Sequence, residues 1–169
     1  GRLCSERGWQ LVPMPDNEGF GKAVNAGVAT AISLGCRVVM LLNPDATASA
    51  TVRSELAAEA LRNPKALVAP RIVDSAGGKY FAGSTVNLTT GEIRGGWIDD
   101  GRAGPWHNWL TGACLVFHVD AFRAIGGMSE EYFLYWEDVD FSLRAAEAGV
   151  ALLLRTDLCA VHDEGGTQQ

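Results

Sequence analysis

Cysteine is scarce in this chain and never clustered. Cys4, Cys36, Cys114 and Cys159 stand far apart with no C-x-x-C pair, which excludes a zinc ribbon, a thioredoxin-type redox motif and a disulfide scaffold. Three of the four lie in apolar runs and are expected to be buried thiols. Long apolar runs are also missing. Runs such as residues 38–42 are far short of the roughly 20 residues that a membrane helix needs. Positive charge is in deficit, with 14 Lys and Arg against 20 Asp and Glu and a formal net charge of −6. Without a basic stripe to neutralise phosphates, nucleic acid is excluded as a main partner. There is no internal repeat, no low-complexity tract and no proline-rich linker. No signal peptide opens the chain, so the expected location is the cytoplasm, either free or peripheral at the inner face of the membrane.

What is present describes an ordinary globule. A length of 169 residues with 47% hydrophobic content suits one domain, residues 1–169, with a sizeable core. Residues 22–34 read as an alanine-rich helix stopped at Gly35, and residues 37–42 as a strand buried on both faces. A second helix is expected over 51–62 and a strand over 66–73. That alternation predicts an α/β layer with a mostly parallel sheet flanked by helices. Glycines break residues 74–108 into short strands and turns, with a hairpin near 89–92. A strand over 111–118, a short helix over 120–125, and two strands over 150–154 and 158–161 complete the reading. Residues 9–13 form the first strand-like run.

Four segments carry chemical content. In residues 132–140 (YFLYWEDVD), Tyr135 and Trp136 lead directly into Glu137, Asp138 and Asp140. The apolar spacing after them marks a helix whose N-terminus holds the carboxylates, where its dipole favours negative charge. Capping alone would account for acids there, but aromatic faces beside a carboxylate also hold a sugar ring next to a base. Asn43-Pro44-Asp45 follows the first buried strand, where α/β sheets bind ligands. Aspartate with a neighbouring amide suits a hard divalent cation, although Asx-Pro turns form for conformational reasons as well. In residues 17–27 (NEGFGKAVNAG), Gly19 and Gly21 before a helix would let a phosphate approach the backbone, and Lys22 would add charge. The spacing is neither a Walker loop nor G-x-G-x-x-G. Asn25 inside that helix is expected to have a polar task, either at a ligand or in helix packing. His162, delivered by the last strand ahead of Gly165-Gly166-Thr167, would fill a metal position opposite Asp45. Trp109, before Thr111-Gly112-Ala113, would line an acceptor pocket or pack. His107 and His118 have no comparable context.

Taken in order, NEGFGKAVNAG, LLNPDA, WLTGACLVFH, GGMSEEYFLYWEDVDFSLRAAEAG and HDEGGT resemble the inverting family 2 glycosyltransferases, nearest to rhamnosyltransferase-like and galactofuranosyltransferase-like members. The resemblance runs from about Pro15 to Thr167. It implies the GT-A (nucleotide-diphospho-sugar transferase) fold and inverting transfer of a sugar to a hydroxyl of a glycan or lipid-linked acceptor. The donor would be a dTDP-, UDP- or GDP-sugar. Asn43 and Asp45 match the family's D-x-D motif, so Asp45 with His162 would hold Mg²⁺ or Mn²⁺. Glu137-Asp138 matches its acidic pair, with Asp138 as general base. Asn17, Gly19, Lys22, Asn25 and Asn43 match donor-side positions, and Trp109, Tyr135 and Trp136 would meet the acceptor. The family's opening β-α-β unit has no counterpart here. The resemblance therefore implies an N-terminally truncated member with an exposed sheet edge able to pair with a second copy. A non-catalytic nucleotide-sugar-binding or assembly fragment, and a metal-dependent phosphoester hydrolase, are the rival readings.

Overall fold

The computed structural model describes residues 2–100 and 102–163. The elements run α1 (Arg2–Arg7), α2 (Phe20–Ser33), β1 (Val38–Leu42), β2 (Ala46–Thr47), α3 (Ala50–Arg62), β3 (Ala66–Val73), β4 (Lys79–Phe81), β5 (Ser84–Asn87), β6 (Ile93–Gly95), β7 (Arg102–Ala103), β8 (Trp106–Trp109), β9 (Cys114–His118), α4 (Val119–Ile125), α5 (Glu137–Glu147) and β10 (Ala151–His162). The main sheet has the order β1-β9-β3-β10-β2, with β4 beside β3; a second sheet is ordered β6-β5-β8-β7.

Side-chain alternation explains the layers. Along β3, Leu67 and Ala69 join the core with α2, α4 and α5, while Ala66 and Val68 face α3 on the other side. In β9, Leu115 and Phe117 belong to the first core, and Cys114 and Val116 to the second. A sheet covered on both faces is what continuous apolar runs require. Helix α3 starts where the Ser49 side chain accepts from Val52 N at 3.2 Å, an N-cap worth about 1 kcal/mol.

The sheet is mixed rather than mostly parallel. β1, β3 and β10 run the same way, as the expected helix-linked crossovers demand, but only β3 and β10 are paired directly in parallel. Strand β9 returns from the long excursion through β4–β8 and inserts antiparallel between β1 and β3. The strand-helix spacing that signals parallel pairing says nothing about a strand reached by such an excursion. The two expected C-terminal strands are one, β10, whose register against β3 shifts between Arg155 and Cys159. Arg155 pins that bulge, bonding both carboxylate oxygens of Asp157 at 2.8 and 2.7 Å and Glu59 at 2.9 Å. Pro70 of β3, paired with Arg155 at the edge of the shift, sits where a missing N–H is tolerated.

Residues 9–13 form no strand. The expected hairpin near 89–92 is present between β5 and β6, turned by Gly91 at φ +74°. All four cysteines are free, but only Cys114 is fully buried, and Cys36 is exposed in the turn after α2. Burial pushes the Cys114 thiol up to about 11. No helix among the described residues is long and apolar enough to cross a membrane.

Candidate active site

Strand directions decide which ends meet. The carboxyl end of β1 leads into Asn43-Pro44-Asp45. Because β9 is antiparallel to β1, its amino end, led in by Thr111-Gly112-Ala113, lies at the same rim: Leu42 pairs with Cys114, and Asn43 N donates to Ala113 O at 3.0 Å. β10 ends there too, with His162 paired to Ala46 of β2. The N-terminus of α5 completes the rim, since Gly112 N donates to Asp138 Oδ2 at 3.0 Å.

These elements enclose a cleft of about 360 Å³ lined by Asn43, Gly112, Trp136, Glu137, Asp138 and His162, with Phe20, Trp109 and Tyr135 also in its wall. Asp45 stands directly behind His162, its Oδ1 3.0 Å from Nε2, and Asn43 Nδ2 lies 3.5 Å from the same nitrogen. Residues 43, 45, 138 and 162, spread over the chain, are thus gathered at one rim. Among the described residues, no group of three or more His, Cys, Asp or Glu is placed to hold a metal.

The two acids differ in setting. Asp138 is oriented by Gly112 N and by Val139 N, which donates to its Oδ1 at 2.9 Å. Burial holds its carboxyl above the ordinary range, and those amides pull part of the way back. Glu137 is only 7% exposed, and its Oε2 is buried without a hydrogen-bond partner among the described residues. Burial, reinforced by the charge of Asp138, raises its pKa as well. Trp109 Nε1 is likewise buried and unbonded among the described residues. An orphaned acceptor and an orphaned donor in one cleft wall are what a bound polar molecule would satisfy.

Tyr135 and Trp136 occupy the left-handed region at φ +68° and +71°, a conformation costing about 1–3 kcal/mol per residue. They are also exposed, at 64% and 45%. The strained pair turns the chain into α5 and leaves both rings beside the carboxylates. Nothing in the sequence signalled this strain.

The 17–25 segment serves differently. Of it only Phe20 reaches the cleft; Asn17, Gly19, Lys22 and Asn25 do not line it. Gly19 (φ +94°) and Gly21 allow close approach, but what approaches is backbone: a Cβ on Gly19 would lie 2.5 Å from Phe133 O, and one on Gly21 2.3 Å from Ser129 O. Asn25 clamps the same loop, donating to Met128 O at 2.9 Å and Glu130 Oε1 at 3.0 Å while accepting from Met128 N at 3.0 Å. Lys22 pairs with Glu18 and Asn17 accepts from Gly19 N. The expected donor loop is therefore a support for the segment that carries Tyr135 and Trp136. His118 caps α4, its Nδ1 accepting from Asp120 N. Residues 165–167 lie outside the described residues.

No protein-family model matches the chain. It is 29% identical over 165 residues to an N-acetylglucosaminyl-diphospho-decaprenol L-rhamnosyltransferase of Mycobacterium tuberculosis, with 83% of this chain and 54% of that protein covered. It is 23% identical over 167 residues to the low-salt glycan biosynthesis hexosyltransferase Agl10 of Haloferax volcanii, covering 95% and 54%. The chain thus spans about half the length of the curated relatives it matches. A solved structure of GalNAc-T7 with UDP, GalNAc and Mn²⁺ superposes with a TM-score of 0.69 at 13% identity, covering 95% of this chain and 34% of that one. The fold is therefore the GT-A glycosyltransferase fold, and the expected similarity to a rhamnosyltransferase is present at 29% identity.

Proposed function

We propose that this chain carries the reaction site of an inverting family 2 glycosyltransferase. Its reaction would move a sugar from a nucleotide-diphospho-sugar to a hydroxyl of a glycan or lipid-linked acceptor. The observation that carries this reading is the cleft in which the oriented Asp138 faces exposed aromatic rings across from His162. Asp138 takes the proton from the acceptor hydroxyl as its oxygen attacks the anomeric carbon in line, which inverts that carbon. Its raised pKa suits a base, and its two backbone hydrogen bonds hold the carboxylate in place without side-chain help. Glu137, with a buried oxygen lacking a partner, orients the same hydroxyl or its neighbour. Tyr135, Trp136 and Trp109 supply the faces against which the acceptor ring lies.

Asp45 and His162 fit a divalent cation, Mg²⁺ or Mn²⁺, as a two-ligand set. Such ions commonly take one or two protein groups and complete their shell with substrate phosphate oxygens and water. When bound, the ion would neutralise charge on the departing nucleotide diphosphate. The exposed run from Phe133 to Trp136, at the mouth of the cleft, supports a lipid-linked acceptor presented at the inner face of the membrane.

The test is turnover. The protein is incubated with UDP-, dTDP- and GDP-sugars, Mn²⁺ or Mg²⁺, and lipid-linked or free glycan acceptors. The expected result is acceptor-dependent release of nucleoside diphosphate and a product of inverted anomeric configuration. Tight donor binding without product would replace this reading with a binding module. Release of phosphate or nucleoside monophosphate in the absence of acceptor would replace it with a hydrolase.

A further inference from the structure

A second, larger cleft of about 580 Å³ lies between the small sheet, α5 and the start of β10. Its volume falls within the roughly 300–1,000 Å³ usual for small-molecule sites. The floor is apolar, formed by Trp97, Leu143, Val150 and Leu152, and the rim carries Asp99, Asp100, Arg102, His107 and Glu147. None of those five rim groups has a side-chain hydrogen bond or ion pair among the described residues, although Asn108 beside them is committed to the backbone of Ile98. A rim of charged groups left unused by the fold, over an aromatic and aliphatic floor, is shaped for a ligand with apolar faces and polar edges.

The cleft is joined to the reaction site. A smaller apolar hollow of about 230 Å³ shares Trp136 and Val139 with the reaction cleft, and Leu88 and Leu143 with the larger one. The three hollows follow one another along α5, neighbours through these shared wall residues, with Asp138 lining the first and Glu147 the last. Those residues stand nine positions apart on the helix, about 14 Å at roughly 1.5 Å per residue. That is the reach of a short oligosaccharide rather than of one ring. Charge selects the class further. Three carboxylates against one guanidinium disfavour a diphosphate or an anionic lipid headgroup by like-charge repulsion, and leave an uncharged, hydroxyl-rich molecule as the complement.

We propose that this cleft is a distal acceptor subsite that holds neutral sugar rings of the acceptor remote from the reacting hydroxyl; the assignment rests on the transfer reading above. Sugar C–H faces would lie on Trp97 and Leu143, with hydroxyls bonded by Asp100, His107 and Glu147.

The test is an amide-shift titration of the ¹⁵N-labelled protein with cello-, manno- and galacto-oligosaccharides of increasing length, from one ring to four. The account expects the longest members of at least one series to shift Arg102, His107 and Glu147 together with Gly112. Their binding should be roughly tenfold tighter than that of the monosaccharide, the gain that about 1.4 kcal/mol supplies. The double variant Asp100→Asn/Glu147→Gln, at exposed positions the fold does not use, should lose that length-dependent gain and keep monosaccharide affinity. Shifts confined to residues 109–113 and 134–139, affinity independent of length, no binding by any series, or a stronger response of the rim to inorganic phosphate or anionic vesicles would each overturn the proposal. Failure of the transfer reading registers separately, as absence of turnover with short acceptors whatever the rim residues do.

Discussion

The N-terminus of α2 and the carboxyl end of β1 invite the same expectation and are used in opposite ways. Both join an apolar element to glycine, asparagine and charge. At the end of β1, Asn43 faces the cleft and Asp45 meets His162. At the start of α2, the glycines and Asn25 are spent on the backbone of residues 127–133. Polar residues before a helix need not await a ligand; another loop can take the place of the phosphate. It also links the regions, because the loop that α2 supports is the one that turns through Tyr135 and Trp136 into the acidic pair.

Substitutions at the two places should fail in opposite ways. The largest effect is expected at the cleft: Asp138→Asn should lower transfer by roughly 10²–10⁴-fold, the usual worth of a general base. It should leave donor binding and the melting temperature nearly unchanged, as rate and calorimetric measurements would reveal. At α2 the signature should reverse. Asn25→Ala leaves Met128 N–H and C=O without their partner and should cost about 1–3 kcal/mol of stability. That is a drop of about 2–4 °C in Tm per kcal/mol for a chain of this size, with activity lost only in proportion to loop order.

A pH series separates the acids from the clamp. Burial raises Glu137 and Asp138 above their ordinary values of 4.5 and 3.8. The native state therefore holds more protons than the unfolded chain once pH passes those values. The contribution of these groups to stability is whole below them and falls as pH rises towards the native pKa values. Glu137→Gln removes its share of that fall, so the variant should gain on the parent between acid and neutral pH in parallel denaturant titrations. Asn25→Ala should show no such gain. The smallest effect is expected within α2 itself. A Cβ at Gly27 meets nothing within 4 Å, so Gly27→Ala should stabilise by about 0.4–1 kcal/mol. Gly21→Ala, six residues earlier, should destabilise through its clash with Ser129 O.

Much of this was legible from residues alone. The apolar strand before Asn43, the helix over 51–62 and the helix begun by Glu137 and Asp138 announce themselves through local patterns, although β1 lies at the sheet's edge and is half-buried rather than covered on both faces. So did the candidate residues Asn43, Asp45, Asp138 and His162, because each lies at an element's end. Three features were not legible. The antiparallel insertion of β9 depends on where a long excursion returns, which no local period encodes. The fusion of the last strands hinges on the bulge held by Arg155 and Asp157, whose sequence reads as a turn. The left-handed pair at Tyr135 and Trp136 contradicts the preferences of both residues, and strain of that kind is held only by the surrounding structure.

The central claim is that the Asp45–His162 end of the rim and the Asp138 end serve one reaction in one cleft. It is tested most directly by paramagnetic broadening, adding Mn²⁺ with UDP, dTDP or GDP to the labelled protein. The account predicts that the amides of Asn43, Asp45 and His162 vanish first and those of Gly112 and Asp138 next, with residues 17–25 weakly touched. Broadening centred on residues 17–25, with Asp45 and His162 unaffected, would contradict it.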